Sequence, residues 1–274
     1  MAVAQGVLDE HRLLEESARR VLENAPLGEG NARFVAQQTS HPNTGADRRR
    51  ETAKGQHPFA TIISCSDSRV PVELLFDRGI GDLFVVRVAG NVCGATQIGS
   101  VEHAVEHLGT PLIVVMGHTK CEAVAAAVDG AEAPGDIPGI VDLIRPAVAR
   151  AREGQSGLAR DTLVAVTVRT NVWQSIENLL TKSQIVREAV KSGHAEIVGA
   201  VYDIESGRVE WLGHHTDQGK LLHLGSWGAA AAPLVPAGGT VSPPAGFVQA
   251  RRDLARRSGA SYLVGLARRA RKRR

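Results

Sequence analysis

The chain has 274 residues, 43% of them hydrophobic and 22% charged, with 29 Gly, 12 Pro and 3 Cys; that supports a sizeable core and excludes a collagen-like chain or a disulfide-dense small scaffold. The formal net charge of +3 hides an asymmetry. Residues 251–274 hold 10 Lys+Arg against the single acid Asp253, which leaves 22 basic and 28 acidic side chains, a net of −6, in residues 1–250. The body therefore lacks a nucleic-acid-binding signature, and no apolar run approaches the roughly 18 residues of a membrane span. Asp9, Glu10, Glu15 and Glu16 interrupt the first 20 residues, which read as no export signal, and three thinly spread cysteines suit a reducing, cytoplasmic compartment.

In chain order, the spacing of Val7, Leu8, Leu13, Leu14, Val21 and Leu22 predicts an amphipathic helix over 5–23. Gly28 and Gly30 are expected to break it, before a short helix over 32–37 and a polar loop over 41–50. Buried strands are predicted at 59–64, 83–88 and 111–116, each rich in β-branched or aromatic residues and bounded by Gly or Pro. Helices are predicted between them at 72–77 and 97–108, and afterwards at 122–128, 140–152, 162–180 and 182–192. Strands at 195–202 and 209–212 close a hairpin through Ser206-Gly207. This alternation predicts an α/β fold, a mostly parallel central sheet flanked by helices. After Leu212 the composition shifts to Gly, Ala, Pro, Ser and His, so a folded body over 1–224 is expected to give way to a flexible linker over 225–246 and a basic amphipathic tail over 247–274.

Two motifs carry chemistry. Cys65-Ser66-Asp67-Ser68-Arg69 follows the first predicted strand, and Gly117-His118-Thr119-Lys120-Cys121 follows the third. Loops at the carboxyl ends of parallel strands form the binding crevice of such sheets. Cys65, His118 and Cys121 would meet there as sulfur, nitrogen and sulfur donors to one zinc ion with an open fourth position. Joint occurrence of the two patterns by accident has odds of about 0.1%. Cys93 reads as a small buried hydrophobe, which leaves too few ligands for a closed structural zinc site.

These residues resemble the zinc signature of the β-class carbonic anhydrases, C-x-D-x-R followed by H-x-x-C. The similarity extends through Gly30-Asn31-Ala32-Arg33-Phe34-Val35, Phe84-Val85-Val86-Arg87, Ala89-Gly90-Asn91, Gly99-Ser100-Val101-Glu102-His103-Ala104-Val105 and residues 112–118, covering about residues 10–213. The resemblance implies one Zn2+ per chain on Cys65, His118 and Cys121, and reversible hydration of CO2 to bicarbonate. Zinc lowers the pKa of a bound water to about 7, Asp67 aims the resulting nucleophile, and Arg69 keeps Asp67 ionised through a forked pairing. Gln56, Phe84 and Gly117 are implied as substrate-binding residues. A homodimer or higher homo-oligomer is implied too, with the N-terminal helix reaching onto a second subunit.

The chain departs from the family pattern in places. Glu122 stands where the family usually has Gly, and His103 where many members have Tyr, as a proton relay or a packing residue. Ile62, Arg87 and Tyr202 occupy the positions of a Trp, Arg and Tyr set that binds regulatory bicarbonate in one subgroup; lacking the Trp, this chain is expected to keep Asp67 on Arg69. Alternative readings are a zinc hydrolase of carbonyl sulfide or carbon disulfide, and a zinc-bearing scaffold impaired by Glu122. Residues 261–269 loosely resemble the short peptides that load enzymes into protein shells, and the basic tail would suit a shell, an anionic membrane or nucleic acid as docking partner, or else serve as a solvated appendage.

Overall fold

The structure, a computed structural model, describes residues 25–223 except 131 and 154–156. The predicted helix over 5–23, the linker and the basic tail lie outside the described residues. The apolar runs form β1 (Ala60–Ser64), β2 (Leu83–Arg87) and β3 (Leu112–His118), joined by β4 (Glu196–Tyr202) and β5 (Val209–Gly213). The sheet order is β2-β1-β3-β4-β5, parallel except for the antiparallel hairpin β4–β5. Successive side chains on a strand point to opposite faces. Ile62, Val114, Met116 and Val198 therefore enter one core, and Ile63, Ile113, Val115 and Ile197 the other. Burial on both faces is why these strands read as unbroken apolar runs rather than alternating ones.

The first face is covered by α1 (Pro26–Val35) and α3 (Val72–Leu75), through Leu27, Val72, Leu75 and the adjoining Phe76. Between them α2 (Ala46–Thr52) buries no residue. The opposite face carries α4 (Ala95–Glu106), α5 (Glu122–Asp129), α6 (Ile137–Arg152), α7 (Arg160–Lys182) and α8 (Gln184–Lys191). The longest, α7, presents Val164, Val168, Val172, Ile176 and Leu179 to the core at helical spacing. A parallel stripe on it holds the buried polar residues Thr167, Asn171 and Ser175.

Two expectations are corrected, and one helix appears inside the folded body expected over 1–224. Gly28 and Gly30 do not break a helix; they lie inside α1, which begins at Pro26. A Cβ on Gly30 would sit 1.9 Å from the Phe76 carbonyl oxygen, so this glycine serves close helix approach. The polar loop expected over 41–50 is helical from Ala46, a helix polar all round and therefore invisible to apolar periodicity. The linker composition beginning at His214 conceals α9 (Gln218–Leu222), whose Leu221 and Leu222 pack on the core.

The segment leading to α9 is clamped. Arg150 donates two 2.6 Å bonds to Glu177, His215 Nε2 lies 3.2 Å from the same carboxylate, and the Asp217 amide donates to His215 Nδ1 at 3.0 Å. The Trp173 ring meets His215 edge-on at 5.5 Å between centroids. Burial pushes the Glu177 carboxyl up, and the His215 and Arg150 hydrogen bonds outweigh it, leaving it at about 2.

Candidate metal centre

β1 and β3 are hydrogen-bonded neighbours pointing the same way, with Ser64 opposite Met116. The chains leave the sheet side by side, and the loops they enter bring Cys65, His118 and Cys121 together. All three are buried, and their donor atoms lie within 4.8 Å of one another. His118 Nδ1 is 2.9 Å from the Thr119 carbonyl oxygen, a contact that only an Nδ1–H satisfies. Its Nε2 is thereby the lone-pair nitrogen, and it is buried without a hydrogen-bond partner. An acceptor nitrogen clustered with two sulfurs, with no donor to satisfy it, fits a cation, and the soft S, N, S set fits zinc. Of the two buried sulfurs, Cys65 is drawn below the usual thiol range by the Cys121 thiol bond, aided by the Asp67 and Gly90 amides, against burial. Cys121 is pushed up by that same bond and by burial.

The Asp67 carboxylate borders this cluster, its Oδ2 3.8 Å from His118 Nε2. Arg69 grips it with a fork, Nε to Oδ1 at 2.9 Å and Nη2 to Oδ2 at 2.6 Å, while the Arg69 amide donates to Oδ1 at 2.9 Å. That pairing holds Asp67 well below the usual carboxylate range. Arg69 Nη2 also reaches the Lys120 carbonyl at 3.3 Å, tying one ligand loop to the other. The expected pairing of Asp67 with Arg69 is thus present.

The remaining expected residues lie around this cluster's strands and loops as follows. Gln56 is exposed on the loop between α2 and β1. Phe84 pairs in register with Thr61 on β1, and its ring lies 6.2 Å from that of exposed His103, which in turn is 5.1 Å from His107. Gly117 faces α7: a Cβ there would lie 2.9 Å from Val172 and 3.1 Å from Val168, so close packing favours glycine. Glu122 is exposed at the first position of α5, where its charge acts on Arg69. Cys93 is fully buried, its thiol pushed up to about 12 by desolvation. Ile62 is buried in the opposite core, and the Tyr202 carbonyl receives the Thr119 amide at 2.9 Å.

The stretches Phe84–Arg87 and Ala89–Asn91 carry the family resemblance, but the sequence did not assign Arg87 and Gly90 to holding the loops from behind. Arg87 donates to the Cys65 carbonyl at 3.1 Å and to the Asp67 carbonyl at 2.7 Å. The Gly90 amide donates to Cys65 Sγ at 3.2 Å. Main-chain partners of this kind leave no residue-type pattern to find.

A sequence profile of the carbonic anhydrase family matches residues 60–209. The chain is 41% identical over 199 residues to a carbonic anhydrase of Mycolicibacterium smegmatis, covering 71% of this chain and 94% of that protein. Among solved structures, the β-carbonic anhydrase CafA of the fungal pathogen Aspergillus fumigatus matches with a TM-score of 0.58 at 29% identity, over 64% of this chain and 85% of that one. A structure reported with two tetrameric β-carbonic anhydrases from the filamentous ascomycete Sordaria macrospora matches with a TM-score of 0.56 at 28% identity, over 67% of this chain and 91% of that one. The matched stretch is the one whose strands deliver the Cys–His–Cys cluster and the Asp67–Arg69 pair to one sheet edge, and the chain belongs to the β-carbonic anhydrase family.

Proposed function

We propose that this enzyme hydrates CO2 reversibly to bicarbonate, with one Zn2+ per chain held by Cys65, His118 and Cys121. The observation that supports this most directly is the orphaned Nε2 of His118, in a buried cluster with two cysteines and 3.8 Å from an ionised carboxylate. When bound, zinc supplies a water acidic enough to furnish hydroxide at neutral pH. Asp67 does the aiming. Arg69 takes both lone-pair directions of Oδ1 and one of Oδ2, so the carboxylate accepts the O–H of the reacting water at the remaining lone pair of Oδ2 and turns the oxygen's free lone pair toward CO2. Arg69 keeps Asp67 anionic and stops it from rotating onto the cation. Arg87 fixes the main chain on both sides of Ser66, so that Asp67 cannot drift from the cluster.

The tetrameric Sordaria enzymes support a homo-oligomer here. We place the enzyme in the cytoplasm, the reducing compartment that its three thinly spread cysteines suit; among the described residues no helix is long and apolar enough to cross a membrane. Residues 1–224 are assigned the chemistry, and 247–274 a separate docking role.

The test is CO2 hydration by purified protein, with carbonyl sulfide and carbon disulfide as rival substrates, before and after chelation. Cys65→Ser, Cys121→Ser and His118→Ala are expected to lose zinc and activity together. Asp67→Asn is expected to keep zinc and lose about 10²-fold or more in kcat/KM. Full zinc in the cysteine variants, or turnover of a sulfur substrate without CO2 hydration, refutes the reading.

A further inference from the structure

We propose that Asn171, in the middle of α7, is a positioning residue for the metal centre, holding Gly90 so that its amide stays aimed at the Cys65 sulfur. The proposal rests on the reading of Cys65 as a metal ligand. Gly90 lies in a short 3-10 turn, Ala89–Asn91, at φ 69° and ψ 18°. Its N–H faces Cys65 Sγ at 3.2 Å, and its own carbonyl accepts from Asn171 Nδ2 at 2.7 Å, across 81 residues of sequence. Both groups belong to one residue, so α7 grips one side of Gly90 while the other side serves the sulfur. The turn cannot easily move elsewhere, because a side chain on Gly90 would lie 2.7 Å from Ile144 and 3.3 Å from Ala123.

Asn171 is an odd residue for a purely structural post. It is fully buried beside Val168 and Val172, and its Oδ1 has no hydrogen-bond partner. A buried amide with one end unsatisfied carries a desolvation cost that an apolar side chain of the same size would avoid. What it supplies in return is the bond to Gly90. An N–H donated to a thiolate withdraws electron density from sulfur and fixes the direction of its lone pairs, the means by which outer groups tune a metal ligand. One turn further along α7, Ser175 Oγ donates to the Asn91 carbonyl at 3.0 Å. Ser175 grips the same turn without touching the residue that serves Cys65, which makes it the natural control.

The experiment compares wild type, Asn171→Leu, Asn171→Ala and Ser175→Ala, each loaded with zinc or with Co2+. Two quantities are read: the rate of zinc loss to a chromophoric chelator, and the thiolate-to-cobalt charge-transfer band. Both Asn171 variants are expected to release zinc about 10-fold faster and to move the band to lower energy, since a sulfur without its N–H donor gives up electrons more readily. Ser175→Ala is expected to leave both at wild-type values. Asn171→Ala introduces no bulk, so it keeps the comparison open where leucine disturbs folding. Wild-type release and an unmoved band in the Asn171 variants overturn the proposal, as does an equal change in Ser175→Ala. Absence of any thiolate band from the wild type overturns the underlying ligand assignment instead.

Discussion

Replacing Gly30 by alanine sets two opposed effects against each other. Alanine in place of glycine inside a helix stabilises by about 1 kcal/mol. At Gly30 the new Cβ would lie 1.9 Å from the Phe76 carbonyl oxygen and 2.7 Å from its carbon, distances that side-chain atoms do not adopt. Helix α1 must back away by about 1 Å, an overpacking cost of about 1–3 kcal/mol. The retreat also stretches three hydrogen bonds of neighbouring Asn31, to the Leu75 carbonyl at 3.2 Å, the Gly207 carbonyl at 2.9 Å and from the Val209 amide at 2.9 Å. At about 1 kcal/mol each, their loss brings the net destabilisation to about 4 kcal/mol, or a fall in Tm of roughly 8–16 °C for a domain of this size. The matched control is Gly99→Ala in α4, where nothing lies within 4 Å of the new Cβ and propensity acts alone. Thermal or urea unfolding reads both. The reasoning is refuted if Gly30→Ala unfolds at or above the wild-type midpoint, as propensity by itself requires.

Glu177→Gln is expected to lower Tm at neutral pH, because it loosens the clamp on His215. Since the folded carboxyl sits below its ordinary value of 4.5, its contribution is present above that value and lost as pH falls toward about 2, so the gap between wild type and variant must narrow across that window; a gap constant with pH refutes the charge argument. Gly117→Ala is expected to cost about 1–3 kcal/mol of stability by pressing on Val168 and Val172 while leaving KM for CO2 unchanged. The reverse outcome, a raised KM at unchanged stability, returns Gly117 to substrate binding. A chain ending at Gly225 is expected to retain CO2 hydration and Tm. One ending at Gly213, which lacks His215 and α9, is expected to melt several degrees lower, and equal midpoints rule out a stabilising role for α9.

The sheet was legible because its strands are buried on both faces and because Gly and Pro bound them. The three metal-ligating candidates and Asp67–Arg69 were legible because side-chain chemistry at strand ends requires particular residue types. Where glycine serves proximity rather than bending, as at Gly30 under Phe76, the same letter misleads, and α1 was started six residues late. Helix α2 escaped notice because it buries nothing. Helix α9 escaped because five residues in a Gly- and His-rich setting show no period, although Leu221 and Leu222 reach the core. Arg87 and Gly90 fall in stretches that resemble the family, but what Arg87, Gly90 and Asn171 hold, main-chain carbonyls and the Cys65 sulfur, shows only in the fold. Gly117 was implied as substrate-binding by the resemblance alone, and the sequence did not show its packing against Val168 and Val172 of α7.

The proposed ligands are carried by strands that are already joined. The segment from Cys65 to His118 is closed by the β1–β3 ladder, in which Thr61 through Ser64 pair with Ile113 through Met116. A cation binding there closes no further long loop, so little of its binding energy is needed to order the chain. This is the reverse of a zinc finger, where binding and folding are one event. We expect the order of assembly to be fold first and metal second, with chelated protein keeping its far-UV circular dichroism and regaining activity on zinc addition without a refolding lag. A folded, metal-free reserve then persists after synthesis, and catalytic capacity follows the supply of metal rather than the making of new chains.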